Sequence, residues 1–364
     1  MKKNICFFLY NMDLTGGTER VCSIIANNLP PDKFTVHILS FRSDNTPQFE
    51  LNKNIFVHSL SKKTNIKILT NLITPLKLRQ FLINKKIDIL INVESMLTIY
   101  SCPAVIGLNI NNICWEHFNY KINLNRKLRD LSRKLASRYC NYVVTLTEQD
   151  KELWLANLNC KAQVITIPNP ITVSPPLPNL NIEKKKLCLA IGRFTHQKGF
   201  DLLLHAWKIV STSKPDWKLR IVGDGKEKNN LKKLCIDLKL EDYVEFIPNT
   251  PKIALHYLES SFFIMSSRFE GLPLVLIEAQ SYSLPIISFD CTTGPRDIII
   301  QNETGWLCEP ENINSLSENI YNAINMFEKE NDKYANMSKK SKLNSDRFSI
   351  DKVMPLWLSV ISDK

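Results

Sequence analysis

The sequence predicts an α/β fold of two parallel-sheet domains with a ligand cleft between them. Three observations carry that prediction. Short apolar runs alternate with longer amphipathic stretches along the chain, the pattern of buried parallel strands joined by crossover helices. A proline-rich break interrupts the alternation once: prolines 168, 170, 175, 176 and 178 precede Glu183-Lys-Lys-Lys186. The ten glycines sit almost entirely at expected strand–helix corners: Gly16, Gly17, Gly192, Gly199, Gly223, Gly225, Gly271, Gly294 and Gly305, with only Gly107 elsewhere.

Taken in order, residues 4–9, 36–39, 89–93, 111–114 and 142–146 read as buried strands, with a helix over 19–29 between the first two. The opening Met1-Lys-Lys-Asn-Ile-Cys-Phe-Phe-Leu-Tyr10 fits a first strand better than a signal peptide. Its apolar stretch soon meets Asp13, and no small-residue cleavage site follows. After the break, strands are expected at 187–191, 218–222, 244–247, 262–265 and 285–289, with helices over 200–212 and 226–238. The organisation is therefore 1–170 as a first domain, 171–186 as linker, 187–345 as a second domain and 346–364 as a closing segment. In open parallel sheets ligands bind beyond the carboxyl ends of the strands, so two such sheets would line a shared cleft.

An apolar share of 44% and a charged share of 23% are those of a soluble globular protein, and no apolar run approaches the ~20 residues of a membrane span. Ten scattered cysteines without CxxC pairs point to reduced thiols in a cytoplasmic protein and to no metal cluster. The net charge of +11 is lopsided: residues 1–180 hold 22 Lys and Arg against 12 Asp and Glu, whereas residues 181–364 hold 25 against 24. The excess gathers in 62–86 and 121–138, where basic residues mix with Leu124, Leu128, Leu131 and Leu135 at helical spacing. Such stretches are either solvated helix faces or surfaces for anionic lipid headgroups. No aromatic-basic module for nucleic acid is present.

The chemistry concentrates in Arg268-Phe-Glu-Gly-Leu-Pro-Leu-Val-Leu-Ile-Glu-Ala-Gln280. Pro273 suits the first turn of a helix, which would place Glu270 at its mouth and Glu278 on it, about 8–10 Å apart. The amides between them favour a phosphate, and the two acids suit the ends of an elongated ligand such as a nucleotide sugar. In Ala190-Ile-Gly-Arg-Phe-Thr-His-Gln-Lys-Gly-Phe-Asp201, Arg193 and Lys198 flank a strand–helix corner and suit a diphosphate. Gly16 and Gly17, in Asn11-Met-Asp-Leu-Thr-Gly-Gly-Thr-Glu-Arg20, open a helix whose amides face the same kind of ligand. His117, in Asn112-Ile-Cys-Trp-Glu-His-Phe-Asn119, ends a strand beside the expected cleft. Val222-Gly-Asp-Gly225 reads as a plain turn, and Thr293-Gly-Pro-Arg-Asp-Ile298 as a further amide cradle.

Together these motifs resemble the retaining GT-B glycosyltransferases of family 4 over nearly the whole chain. The resemblance implies two Rossmann-like domains facing a central cleft, an acceptor-binding N-terminal domain, a nucleotide-sugar-binding C-terminal domain and a last helix, near 348–361, crossing back to the first. It implies that Glu270 holds donor-sugar hydroxyls and Glu278 the ribose, that Arg193 and Lys198 neutralise the diphosphate, and that His117 lies against the reacting sugar. Amides of Gly271, Leu272, Pro273, Leu274 and Val275 (the proline lending only its carbonyl and ring) line the donor, and Gly16 and Gly17 approach its phosphate. The implied enzyme uses no metal and no other cofactor, in line with the missing Asp-x-Asp motif. It moves a hexose or N-acetylhexosamine, with retention and without a covalent intermediate, from a nucleotide sugar to a polyprenyl-diphosphate-linked or lipopolysaccharide-core saccharide. The setting is O-antigen, capsule or lipopolysaccharide biosynthesis at the inner face of the bacterial cell membrane, with the basic first domain on the lipid surface. Two departures from the family pattern are Pro248, where a glycine often stands, and Asp297, where Glu is usual; UDP stays the favoured nucleotide. A nucleotide-sugar epimerase, or a catalytically silent sugar-nucleotide-binding protein, is the alternative on the same fold.

Overall fold

All the apolar runs read as strands become strands, and every strand pairs parallel to its neighbours. A computed structural model of the chain describes residues 2–44, 46–62, 67–123, 127–173 and 183–362, the side chains of 67–72 excepted. The expected linker therefore lies largely outside the described residues, as do Leu124 and part of the basic stretch at 62–86. The chain divides into two units, Met1–Thr172 with Ile350–Lys364, and Val173–Ser349.

In the first unit β1 (Lys3–Leu9), β2 (Phe34–Ser40), β3 (Phe56–Ser59), β4 (Ile89–Val93), β5 (Asn111–Trp115), β6 (Tyr142–Thr145) and β7 (Gln163–Thr166) form one sheet, ordered β3-β2-β1-β4-β5-β6-β7. In the second, β8 (Leu187–Ile191), β9 (Lys218–Val222), β10 (Val244–Ile247), β11 (Phe262–Met265), β12 (Ile286–Phe289) and β13 (Gly305–Cys308) are ordered β10-β9-β8-β11-β12-β13. Each chain path starts in mid-sheet, winds outward, then returns to the other side of its first strand. The reversal falls between β1 and β4, where Ile5 lies opposite Ile89, and between β8 and β11, where Leu189 lies opposite Phe263. Strand order reverses at these two places, so the loops beyond their carboxyl ends splay apart.

Three strands, β3, β7 and β13, have no counterpart in the sequence reading. All three are sheet edges. Their burial is partial, as in β3, where no residue is fully buried, so they carry no continuous apolar run. The helix Lys127–Tyr139 departs from expectation in a more telling way. It buries Arg129, Ser132, Arg133, Ala136 and Ser137 and turns Leu128 and Leu131 outward. Beside Ala136 and Leu135, which meet the core, its inward face is polar, and the reason lies in the carboxylates that its arginines meet.

The last helix, Ile350–Ser362, belongs to the first unit and buries Val353, Met354, Trp357, Val360 and Ile361. The Trp357 ring meets Trp115 edge-on, with centroids 4.7 Å apart, directly behind the loop that carries His117. Aromatic pairs of this geometry add stability beyond their burial. Trp357→Ala should cost the first unit ~3–5 kcal/mol in urea unfolding; a loss below about 1 kcal/mol would mean that the helix is only loosely attached.

Candidate active site

The second unit collects the acidic and basic motif residues at one place. Three loops beyond β8, β11 and β12, neighbours in the sheet, meet across the point where strand order reverses. After β8 the chain passes Arg193, makes a short turn over His196–Lys198 and enters the helix Phe200–Ser213 through Gly199. Gly199 is left-handed, φ 60°, and a Cβ there would run into the Ser266 carbonyl at the end of β11. Only glycine allows the two loops to approach so closely. The Gln197 amide then donates to Phe269 O at 3.0 Å, Arg268 N donates to Gln197 O at 2.8 Å, and the Ser266 hydroxyl donates to Lys198 O at 3.0 Å.

Within this frame Lys198 Nζ lies 2.6 Å from Glu270 Oε1. The side chains are 18% and 8% exposed, so water screens the pair only in part. Arg268 props the corner from beneath, with both guanidinium ends on Asp201 at 2.9 and 2.7 Å and its Nε on Glu311 at 3.0 Å. Arg193 is exposed, and among the described residues its guanidinium has no ion-pair partner. An unpaired cation and a paired one thus flank the same corner.

Glu270 leads into the helix Leu274–Ser281. Pro273 stands one position before the helix, in extended conformation, rather than in its first turn. Among the described residues the amides of Gly271, Leu272, Leu274 and Val275 have no hydrogen-bond acceptor, and Leu276 N is the first to find one, Pro273 O at 3.0 Å. Four donors at a helix start form a ready receptor for oxyanions. The neighbouring corner braces them: the Thr293 hydroxyl donates to Glu270 O at 2.8 Å. Gly294, at φ 97°, approaches so closely that a Cβ would sit 2.5 Å from Pro273 Cδ and 2.6 Å from Gly271 O. The Gly294 amide itself is taken by Asp297 Oδ2 at 3.1 Å, so the 293–298 corner offers less of an amide cradle than its sequence suggests. One helical turn into Leu274–Ser281, Glu278 is buried and accepts the Tyr257 hydroxyl at 2.7 Å. Tyr257 stacks on Tyr282, whose phenol is pushed up to about 12 by burial and by Glu278.

The first unit carries the remaining candidates. Gly16 caps the helix Gly17–Asn27 in extended conformation, and the Glu19 carboxylate occupies the place that a side chain at residue 16 would need. His117 follows β5. Its backbone amide and that of Phe118 both donate to Glu116 Oε1 at 3.1 Å, and Arg133 Nε meets Glu116 Oε2 at 3.1 Å. Arg133 also donates to the carbonyls of Tyr120, Asn119 and Ile122, at 2.5, 2.9 and 3.1 Å. One buried arginine therefore fixes the whole His117 loop. Burial alone would raise the Glu116 carboxyl, but Arg133 and then Arg129 outweigh it and hold it low. Burial lowers the His117 imidazole to about 4, against the opposing pull of Glu116, and its Nε2 has no hydrogen-bond partner. A neutral imidazole with an unengaged nitrogen is suited to a polar ligand group.

Arg268, Thr293, Tyr257 and Arg133 are site residues that no motif in the sequence points to by itself. Arg268 and Thr293 lay inside quoted motifs. Tyr257 and Arg133 reach the site from neighbouring helices, 21 and 17 positions from the carboxylates they meet, and leave no local signal.

Two family models divide the sequence between them. "Glycosyltransferase Family 4" matches residues 15–174 and "Glycosyl transferases group 1" matches 178–343. An uncharacterized glycosyltransferase of Haemophilus influenzae is 36% identical over 99% of this chain and 100% of its own length. The amylovoran biosynthesis glycosyltransferase AmsD of Erwinia amylovora is 32% identical, covering 78% of this chain and 80% of that one. A Campylobacter jejuni N-acetylgalactosaminyltransferase, named for a diNAcBac-PP-undecaprenol-linked saccharide, is 25% identical over 96% of both. Among solved structures, S. aureus TarM, a mutant in complex with fondaparinux, α-GlcNAc-glycerol and UDP, superposes with a TM-score of 0.82 over 99% of this chain and 100% of that one, at 16% identity. At that identity the likeness establishes the fold, GT-B.

Two outcomes follow from the geometry. In a double-mutant cycle, Lys198→Met and Glu270→Gln should show a coupling of roughly 0.5–3 kcal/mol in unfolding free energy; strict additivity would mean no ion pair in solution. His117 binds its proton less readily folded than unfolded, so its contribution is present above the ordinary histidine value of 6.5 and lost as pH falls through about 4. Wild-type protein should therefore lose stability across that window by an amount that His117→Phe lacks, and the His117 ring proton in NMR should titrate near 4; a midpoint near 6.5 would contradict the burial.

Proposed function

The chain belongs to the family 4, group 1 glycosyltransferases, and from that premise we propose that it moves a hexose or N-acetylhexosamine from UDP to a lipid-linked saccharide, with retention of configuration. The observation that carries the donor half is the Lys198–Glu270 pair at the mouth of a helix with four unengaged amides. A diphosphate supplies what these groups lack. Its charge would draw Lys198 from Glu270 and bring in Arg193, and its oxygens would take the amides of Gly271, Leu272, Leu274 and Val275. Glu270, released from Lys198, would accept hydroxyl hydrogen bonds from the sugar. Glu278, one helical turn along, would trade its Tyr257 contact for, or share it with, the ribose. Gly16 and Gly17 would approach the phosphate.

In this reading the acceptor hydroxyl attacks from the face that the diphosphate leaves, and a phosphate oxygen takes its proton. The C1–O bond to UDP breaks, the bond to the acceptor oxygen forms, and the electron pair departs with UDP. The protein positions the partners and stabilises the leaving diphosphate through Lys198, Arg193 and the helix amides. No step is assigned to a metal. Neutral His117 is assigned a hydrogen bond to the reacting sugar.

Support for the acceptor class comes from relatives named for amylovoran biosynthesis and for an undecaprenol-linked saccharide. On this reading the protein works in bacterial surface polysaccharide or lipopolysaccharide biosynthesis, at the inner face of the cell membrane. Among the described residues no helix is long and apolar enough to cross a membrane. Outward-facing Ile73, Leu76 and Ile83 on the helix Lys67–Asn84, and Leu128, Leu131 and Tyr139 on Lys127–Tyr139, are interleaved with exposed Lys77, Lys85, Lys127, Lys134 and Arg138. Apolar side chains among lysines on a basic domain suit peripheral contact with anionic lipid.

The test is a screen of UDP-sugars with a synthetic lipid-diphosphate saccharide, the product read by mass and its anomeric configuration by NMR. One UDP-sugar should give an α-linked product, and Glu270→Ala and Lys198→Ala should each lower the rate at least 100-fold with the fold intact by circular dichroism. An inverted product would overturn the mechanism, and wild-type turnover in either variant would overturn the site.

A further inference from the structure

The first unit holds a second polar cluster, at the reversal point of its own sheet. Glu94 follows β4 with φ 108° and ψ 136°, a backbone region that L side chains rarely adopt. Backbone bonds keep it there: Glu94 N donates to Trp115 O at 2.9 Å and to Asn92 O at 3.1 Å. Its carboxylate, on a side chain 15% exposed, reaches Arg129 Nη2 at 2.7 Å. Arg129 is 1% exposed, and its guanidinium lies 4.2 Å above the centre of the Phe118 ring. The Arg129 Nε and Nη1 have no hydrogen-bond partner, and neither do the nearby Trp115 Nε1 and His117 Nε2.

Arg129 also helps hold Glu116 ionised and covers Phe118, but the backbone angle at Glu94 and the unsatisfied donors of Arg129 are a cost beyond what those contacts require. Glycine at 94 would relieve the backbone, and an apolar residue at 129 would remove a buried charge with unsatisfied donors. Strained backbone and buried unsatisfied polar groups together mark places shaped for a ligand. The chemistry decides its class. An anion would meet the Glu94 carboxylate, and a cation would meet Arg129. A neutral ligand whose hydroxyl groups donate to a carboxylate and accept from a guanidinium satisfies both, and a saccharide does so.

We propose that Glu94 and Arg129, with Phe118 beneath, bind a hydroxyl-bearing ring of the acceptor saccharide, Glu94 accepting from a sugar hydroxyl and Arg129 orienting that carboxylate and donating beside it. The inference rests on the glycosyl-transfer reading and adds to it the residues that grip the acceptor. The device lies wholly within the first unit, on the side of the loop that also carries His117. Arg133, one helical turn beyond Arg129, anchors that loop, so the helix Lys127–Tyr139 serves both.

The test uses the full chain, the UDP-sugar that the wild type accepts, and as acceptor the lipid extract of a host strain deleted for this gene, which retains the unextended acceptor. Two variants are compared, Glu94→Gln and the double variant Glu94→Gly with Arg129→Met. Glu94→Gln should raise the KM for the acceptor extract at least tenfold while leaving the Kd for UDP, by calorimetry, within twofold of wild type. The double variant should keep the wild-type circular dichroism, bind UDP normally and transfer at less than a hundredth of the wild-type rate. An unchanged acceptor KM in Glu94→Gln, a weakened UDP affinity in either variant, or wild-type transfer by the double variant would overturn the proposal. Wild-type protein that binds no UDP, or transfers nothing to the extract, would overturn the broader functional reading instead.

Discussion

The ion pair between Lys198 and Glu270 is the constraint around which the second unit is arranged. It bridges the loops after β8 and β11, the two strands between which the sheet reverses, and it is only partly open to water. Two charges so placed need rigid support, because a partly desolvated pair is worth little unless its geometry is fixed. The support is visible on every side. Gly199 allows the loops to close, Arg268 ties the corner to Asp201 and Glu311, and Thr293 and Gly294 press the β12 corner against the Glu270 backbone. The result is a carboxylate and an ammonium held beside four unengaged amides, the arrangement on which the proposed diphosphate site rests.

The first unit follows a comparable plan with different residues. Its reversal point lies between β1 and β4, and the charged groups there are Glu94 and Glu116, each met by an arginine from the helix Lys127–Tyr139. That explains why this helix turns Leu128 and Leu131 outward while Leu135 packs against the core. The burial of two guanidinium groups against two carboxylates, with three backbone carbonyls taken by Arg133, fixes which face points in. The outward leucines then become available for a surface role, so one sequence choice shapes both the inner site and the outer face.

Much of the fold was legible because central parallel strands are buried on both faces and must be apolar throughout. Strands such as 89–93 and 262–265 stand where their apolar runs predicted, whereas edge strands β3, β7 and β13, paired on one side and partly exposed, carry no such run. In the site, the pairing of Lys198 with Glu270 is a contact over 72 positions, and local sequence shows the residues but not their partnership. Tyr257 beside Glu278 and Arg133 behind His117 are of the same kind. Glu94 was hidden for another reason: its distinction is a backbone angle, and nothing in Asn92-Val-Glu-Ser95 reveals it.

On the proposed reading Lys198 serves a diphosphate and is held by Glu270 until one arrives. Calorimetric titration of UDP, which carries the diphosphate without a sugar, tests this most directly in Lys198→Met and Glu270→Gln proteins. Loss of Lys198 should weaken UDP at least tenfold, whereas loss of Glu270 should leave it as tight as in the wild type or tighter, because the lysine is then unopposed. UDP bound equally by wild type and Lys198→Met, or weakened more by Glu270→Gln than by Lys198→Met, would contradict the account.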